Sequence, residues 1–265
     1  MKTLRLLLSM VAVVIITTLG VGASDVWRSQ SSSLLALVVG SKETRCLAGM
    51  SPVPTALTFS CIDTYEVSPA ASCVYQSTTN GDQSVSNAAD PNCLPQSVSG
   101  VVPWRFVTRA DAALACARAG KRLPTAAEWY IASQGTKPEN CTTQTTVVGL
   151  AGARPACVSV YKATDMIGNV WEWVSDDVIS GIYQGRALPQ SGYVAQFDSG
   201  GVPTITAVAA TTLTDLGYFW SDPNGSFGMI RGGFYGSKRD SGQATIQAAT
   251  SPNFAGAAIG FRCVE

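Results

Sequence analysis

The chain has 265 residues in which 18 Lys and Arg balance 18 Asp and Glu, and charged residues make up 14% against the ~25% of ordinary domains. No basic stripe exists to collect phosphates, so nucleic acid is not an expected partner. Histidine is absent, which removes the Ser-His-Asp triad, the Cys-His dyad, imidazole acid–base catalysis and every His-ligated zinc or iron site.

Two positive charges in Met1–Arg5 lead into an apolar run from Leu6 to Val21, closed by Gly22-Ala23-Ser24. This is the plan of a secretory signal over residues 1–23, although the run approaches the ~18 residues of a membrane anchor. Residues 24–45, rich in serine, read as a tether. From Cys46 to Glu265 the composition is that of one globular domain, with a hydrophobic content sufficient for a core. The expected location is extracytoplasmic: secreted, periplasmic or at the cell surface.

Eight cysteines follow the leader, none in a Cys-x-x-Cys pair, and an even set in an oxidising compartment favours disulfides. Cys46 and Cys61, Cys73 and Cys93, and Cys141 and Cys157 each bracket a short loop-like segment, which leaves Cys116 with Cys263. Eight cysteines allow many other connectivities.

Two helices are signalled. Thr108 caps an alanine-rich stretch, Arg109 to Arg118, with Asp111 in its first turn and Gly120 past its end. Thr125-Ala126-Ala127-Glu128 is a capping box that opens a second helix, ending near Gly135. Short strands are expected at Phe59–Tyr65, Val158–Tyr161, Gly192–Phe197, Met229–Phe234 and Ile259–Val264. Ser199 to Asp215, uncharged and rich in Val, Thr and Ala, suits an edge hairpin or an ordered loop.

The densest chemistry lies in Asp165-Met166-Ile167-Gly168-Asn169-Val170-Trp171-Glu172-Trp173. Two carboxylates, a glycine and two tryptophans crowd together without the pattern of a helix or strand. A hard cation would organise such a loop, with carboxylate oxygens from Asp165 and Glu172 and carbonyls around Gly168 and Val170. The alternative is a turn that needs Gly168 for its backbone angle, with the tryptophans in the core.

Five blocks in order resemble the formylglycine-generating enzymes, also called the sulfatase-modifying factor family. They are Gly49–Pro54 with Cys61–Val67, Ala119–Thr125 with Glu128-Trp129, Gly168–Trp173, Arg231-Gly232-Gly233, and Gly260-Phe261-Arg262-Cys263. The resemblance spans Gly49 to Val264. It implies an α+β fold with a C-type-lectin-like core, low in regular secondary structure, with two main helices and short antiparallel strands. It implies one calcium ion held by Asp165, Gly168, Val170 and Glu172, and it supports the Cys116–Cys263 pair. Arg122 and Arg262 are then buried braces with arginine's fixed fork of donors, and Trp129, Trp171 and Trp173 are core.

The family's enzymes oxidise a substrate cysteine with copper held by two thiolates a few positions after Arg-Gly-Gly, and soft thiolates are what copper(I) requires. Here those positions read Ser237 and Gly242, and no cysteine lies between Cys157 and Cys263. Sulfoxide synthases that share the fold use three histidines, and this chain has none. No catalytic residue is therefore assigned and no copper is expected. Binding becomes the leading function, for a protein, peptide or glycan ligand, with a membrane involved only if the leader is retained.

The segment Phe234–Ala258, rich in Gly, Ser, Ala, Thr and Tyr, presents adaptable contacts in the manner of antibody loops. Tyr235, Ser237, Arg239 and Asp240 are its candidate binding residues. The alternatives are a divergent formylglycine-generating-type oxidoreductase acting on protein cysteine, and an ordinary surface loop on a structural protein.

Overall fold

In the computed structural model, which describes residues 45–210 and 216–265, the chain begins with short strands tied to its own far end. β1 (Met50–Pro52) pairs antiparallel with β2 (Cys61–Asp63), and β3 (Ser68–Pro69) with β4 (Pro95–Gln96). Ile62 and Arg122 both bridge to Val264. The leader (1–23) and all but Arg45 of the tether lie outside the described residues.

Three α-helices stand among the described residues, where the sequence signals two. The additional one, α1 (Gly81–Ala89), is capped by the Asn80 side chain, which accepts from the Gln83 amide at 3.0 Å. Asn80 stands beside a glycine, and a polar nine-residue helix without an apolar stripe leaves little pattern to read. α2 (Arg109–Arg118) has Thr108 accepting from the Asp111 amide at 3.2 Å. α3 (Ala126–Ala132) opens with the predicted capping box: Thr125 Oγ1 accepts from the Glu128 amide at 3.2 Å, and Glu128 Oε2 accepts from the Thr125 amide at 2.8 Å.

The remainder builds one sheet from β5 (Trp171–Ile179), β6 (Ile182–Tyr183), β7 (Arg186–Ala187), β8 (Gly192–Phe197), β9 (Pro203–Ala207), β10 (Tyr218–Ser221), β11 (Ser226–Arg231), β12 (Ile246–Thr250) and β13 (Ile259–Phe261). Its order is β7-β6-β5-β11-β12-β10-β8-β9, with β13 beside β5. β13 runs parallel to β5, and β10 runs parallel to β12; the other pairs are antiparallel. The expected short antiparallel strands thus make up most of the sheet, and the two parallel pairs join strands distant in sequence or, for β12 and β10, separated in the chain by β11.

Trp171, Glu172 and Trp173, read from sequence as part of a loop, open the longest strand. The irregular part is 165–170 only. Both faces of this strand are buried at that end, so the period-2 alternation that marks a half-exposed strand is missing. Val158–Tyr161 is reduced to a single bridge between Val158 and Thr164. In the stretch 199–215, β9 pairs with β8, while 211–215 lie outside the described residues.

Two apolar clusters flank the sheet. Trp129, Val174, Val178, Phe219, Met229 and Ile246 pack on one side, and Trp104, Val107, Ala115, Trp173, Ile230 and Phe261 on the other. Trp129 and Trp173 are fully buried and Trp171 is 9% exposed, as the core reading requires. Residues 44–265 form one compact unit, and no helix among the described residues is long and apolar enough to cross a membrane.

All eight cysteines are paired as Cys46–Cys61, Cys73–Cys93, Cys116–Cys263 and Cys141–Cys157. Cys116–Cys263 joins α2 to the residues after β13 across a separation of 147, and in the loop-entropy model the longest closed loop constrains the unfolded chain most. The double variant Cys116→Ser/Cys263→Ser is expected to lose about 5 kcal/mol and Cys46→Ser/Cys61→Ser about 3 kcal/mol. Urea unfolding of both checks the ranking.

Candidate functional site

The loop 165–170 is organised by buried polar groups. Arg262 donates from Nε to Glu172 Oε2 at 2.7 Å and from Nη2 to Oε1 at 2.6 Å. Its remaining donors reach the carbonyls of Asp63 at 3.0 Å and Thr164 at 2.9 Å. Glu172 Oε2 also accepts from Trp129 Nε1 at 2.6 Å. Arg262 is therefore a buried brace, as expected. Arg122 is not: its side chain is 46% exposed and chelates Glu128 at the surface.

A third carboxylate, not singled out from sequence, completes the cluster. Glu66 accepts from Asn169 Nδ2 at 2.5 Å and from the Val170 amide at 3.1 Å, while Asp165 Oδ2 accepts from the Gly152 amide at 2.6 Å. Gly168 has φ +78°, and a Cβ there would stand 2.2 Å from the Thr142 carbonyl oxygen, so only glycine fits. Three buried acids share one guanidinium. Burial, then repulsion from Asp165 and Glu172, drives the Glu66 carboxyl well above its usual range, and burial lifts Asp165 to about 6.

For calcium, the donor chemistry fits: every group is an oxygen donor, and carboxylates outnumber the cation that answers them. One element does not fit so simply. Both Glu172 oxygens are engaged by Arg262 and Trp129, and among the described residues no three acidic, cysteine or histidine side chains converge on one point. An ion here would depend heavily on backbone carbonyls.

This loop carries the next one. After Arg231, the residues Gly232 (φ +90°) and Gly233 (φ +86°) turn the chain out of the sheet. The Tyr235 amide then donates to the Asn169 carbonyl at 2.9 Å, the Thr145 amide to the Tyr235 carbonyl at 2.8 Å, and the Lys238 amide to the Thr143 carbonyl at 2.7 Å. Arg231 itself is fully buried, donates to the carbonyls of Ala126, Gly201 and Gln243, and lies 5.0 Å over the Trp129 ring. Burial pushes its pKa down to about 10.

Beside this turn opens a cleft of about 600 Å³. Of the candidate binding residues, Ser237, Arg239 and Asp240 line it; Tyr235 does not, and instead packs edge-on against Phe234, which does. The opposite wall is aromatic. Trp171 meets Trp220 at 5.7 Å between centroids, Trp220 meets Tyr218 at 4.5 Å, and Tyr218 meets Tyr193 at 5.0 Å. Trp220, Tyr193 and Gln247 escaped the sequence reading. The signal was the alternation Tyr218-Phe219-Trp220, where Phe219 is fully buried and its two neighbours face the other way.

Ser237 and Gly242, at the positions matched to the copper thiolates, carry no soft donor. Ser237 Oγ accepts from the Phe234 amide at 2.9 Å, and a Cβ on Gly242 would stand 2.4 Å from the Leu216 carbonyl oxygen. No free cysteine exists among the described residues. A larger hollow of about 760 Å³ is bordered by Arg109, Lys121 and Arg122. Each of these cations is already paired, with Asp177, Asp63 and Glu128 respectively.

The family model described as sulfatase-modifying factor enzyme 1-like domain matches residues 138–265. Among solved structures, the chain is similar to the Major Tropism Determinant M1 variant (16% identity, TM-score 0.48, 84% of this chain and 53% of that one). It is also similar to CarF (16% identity, TM-score 0.42, 82% and 95%) and to Treponema denticola variable protein 1 (14% identity, TM-score 0.44, 83% and 91%). The chain spans about half the length of the Major Tropism Determinant chains it matches. No curated protein matches.

Glu172→Gln or Arg262→Met alone leaves a buried charge unanswered and is expected to cost about 3–5 kcal/mol. Joint replacement by Glu172→Gln and Arg262→Met costs less than the sum of the two single changes, as a double-mutant cycle in urea would show.

Proposed function

We propose, for a chain whose residues 138–265 carry a sulfatase-modifying factor enzyme 1-like domain, that the protein is an exported recognition module without copper-thiolate chemistry. The observation that carries this reading is the aromatic-walled cleft beside the 234–240 turn. Its volume falls in the ~300–1,000 Å³ range of small-ligand sites, and its reactive-cysteine positions are a serine and a glycine. Four disulfides support an oxidising compartment.

A copper(I)-loaded sample incubated with a Cys-x-Pro-x-Arg peptide is expected to form no aldehyde on that peptide by mass spectrometry. Aldehyde formation would restore the oxidoreductase reading, because oxidising a thiol through copper(I) needs soft ligands that the described residues do not supply.

Calcium belongs to the same proposal. Asp165 and Glu172, with the carbonyls of Gly168 and Val170, would hold the ion, whose charge offsets the excess of buried carboxylates over Arg262. Bound calcium at a hundredfold its dissociation constant adds about 2.7 kcal/mol of stability. Chelator is therefore expected to lower the melting temperature by several degrees, added calcium to restore it, and Asp165→Asn to abolish the response. A melting curve indifferent to chelator removes calcium from the proposal and leaves the cleft.

A further inference from the structure

We propose that the cleft binds an acidic saccharide: a pyranose ring bearing a carboxylate or sulfate, with the ring against Trp220 and Tyr193 and the acid on Lys238 and Arg239. This rests on the reading of the cleft as a recognition site and names its ligand class.

Charge is the first ground. Lys238 and Arg239 sit on one turn, and among the described residues neither side chain has a carboxylate within ion-pair distance. The Arg239 guanidinium lies 5.5 Å from the Tyr193 ring centroid, which fixes a fork of donors at the rim of the aromatic wall. On the cleft side Lys238 and Arg239 outnumber Asp240, which among the described residues is the one carboxylate of the lining, and this balance favours an anion and disfavours the ammonium ligands that aromatic boxes otherwise accept.

The second ground is a built polar environment on the far side of the same turn. A smaller hollow of about 310 Å³ is bordered by Glu139, Thr143, Gln144, Lys238, Arg239 and Ser241, so an acid as well as the two cations faces it. Ser241 is 3% exposed, and its Oγ has no hydrogen-bond partner. Lys238 is held at φ +53°, a left-handed conformation that a lysine adopts only when its surroundings enforce it; such strain gathers at ligand clamps.

Topology and donor chemistry select the saccharide. The strands under the cleft, β5, β8, β10 and β12, are each flanked on both sides within the sheet, so an extended peptide cannot add as a strand there. The ligand must lie on a face. A pyranose presents a flat C–H face to an aromatic ring and hydroxyls at its perimeter. Asp240 is an acceptor only and requires such donors, while Ser237 and Gln247 take either role.

The test is calorimetric titration of the purified full chain with a glucuronate-containing disaccharide, a sulfated disaccharide and the matching neutral disaccharide. An acidic sugar is expected to bind about tenfold or more tighter than the neutral one, the size of one charge-assisted hydrogen bond, and to weaken with salt. Carboxylate and sulfate are distinguished by which titrates tighter. The double change Lys238→Gln/Arg239→Gln is expected to collapse the acidic-to-neutral ratio toward one, and Trp220→Ala to weaken every sugar, with both variants verified as folded by circular dichroism.

Equal affinity for the neutral sugar, or a ratio that survives the double change, overturns the acid assignment. Binding of a protein or peptide that is lost in Trp220→Ala, with no saccharide bound, overturns the ligand class but retains the cleft. Binding of any ligand that is indifferent to Trp220→Ala overturns both.

Discussion

The pairing of Glu172 with Arg262 is the constraint on which the rest of the domain depends. It joins the first turn of the central strand to the residue after the last one, and Trp129 adds a third element from α3. Desolvating two charges is expensive, and the pair alone offers no net gain over apolar packing. Its value is positional: every nitrogen of Arg262 donates to a partner, which ties β13 to β5 in a defined registration. Trp129 extends the arrangement, since its indole N–H answers Glu172 while its face carries Arg231.

From that centre the organisation passes outward by backbone hydrogen bonds. The strand end fixes the acidic loop, the Asn169 carbonyl receives the Tyr235 amide, and Gly232-Gly233 release the turn that borders the cleft. The residues that border the cleft thus stand on a short chain of rigid steps from the core, although they lie in what resembles an ordinary surface loop. This is how a protein with sparse regular structure holds a binding surface still.

What was legible in the sequence was whatever had a local cause. The capping box at Thr125 and Glu128 and the Thr108 cap are written in four residues each, and the four disulfides are implied by bracketing and remainder. The positions of Ser237, Arg239 and Asp240 beside a cleft came from a resemblance that placed the turn after Arg-Gly-Gly. What stayed hidden was non-local. Glu66 lies about a hundred residues from Asn169 in sequence, and nothing around it announces that its carboxylate is buried. Trp171 and Trp173 belong to a strand buried on both faces, where the alternation that identifies strands disappears. The aromatic wall is assembled from β5, β8 and β10, and Trp171, Tyr193 and the Tyr218–Trp220 pair stand far apart in the sequence.

The disulfides divide the molecule into parts with different dependence on oxidation. Cys116–Cys263 fastens the scaffold, whereas Cys141–Cys157 fastens the stretch whose Thr143 and Thr145 support the turn at Lys238 and Tyr235. A chain reduced only at the second bridge would keep its sheet and slacken the rim of its binding face. The sheet and the border of the cleft thus answer to different bridges.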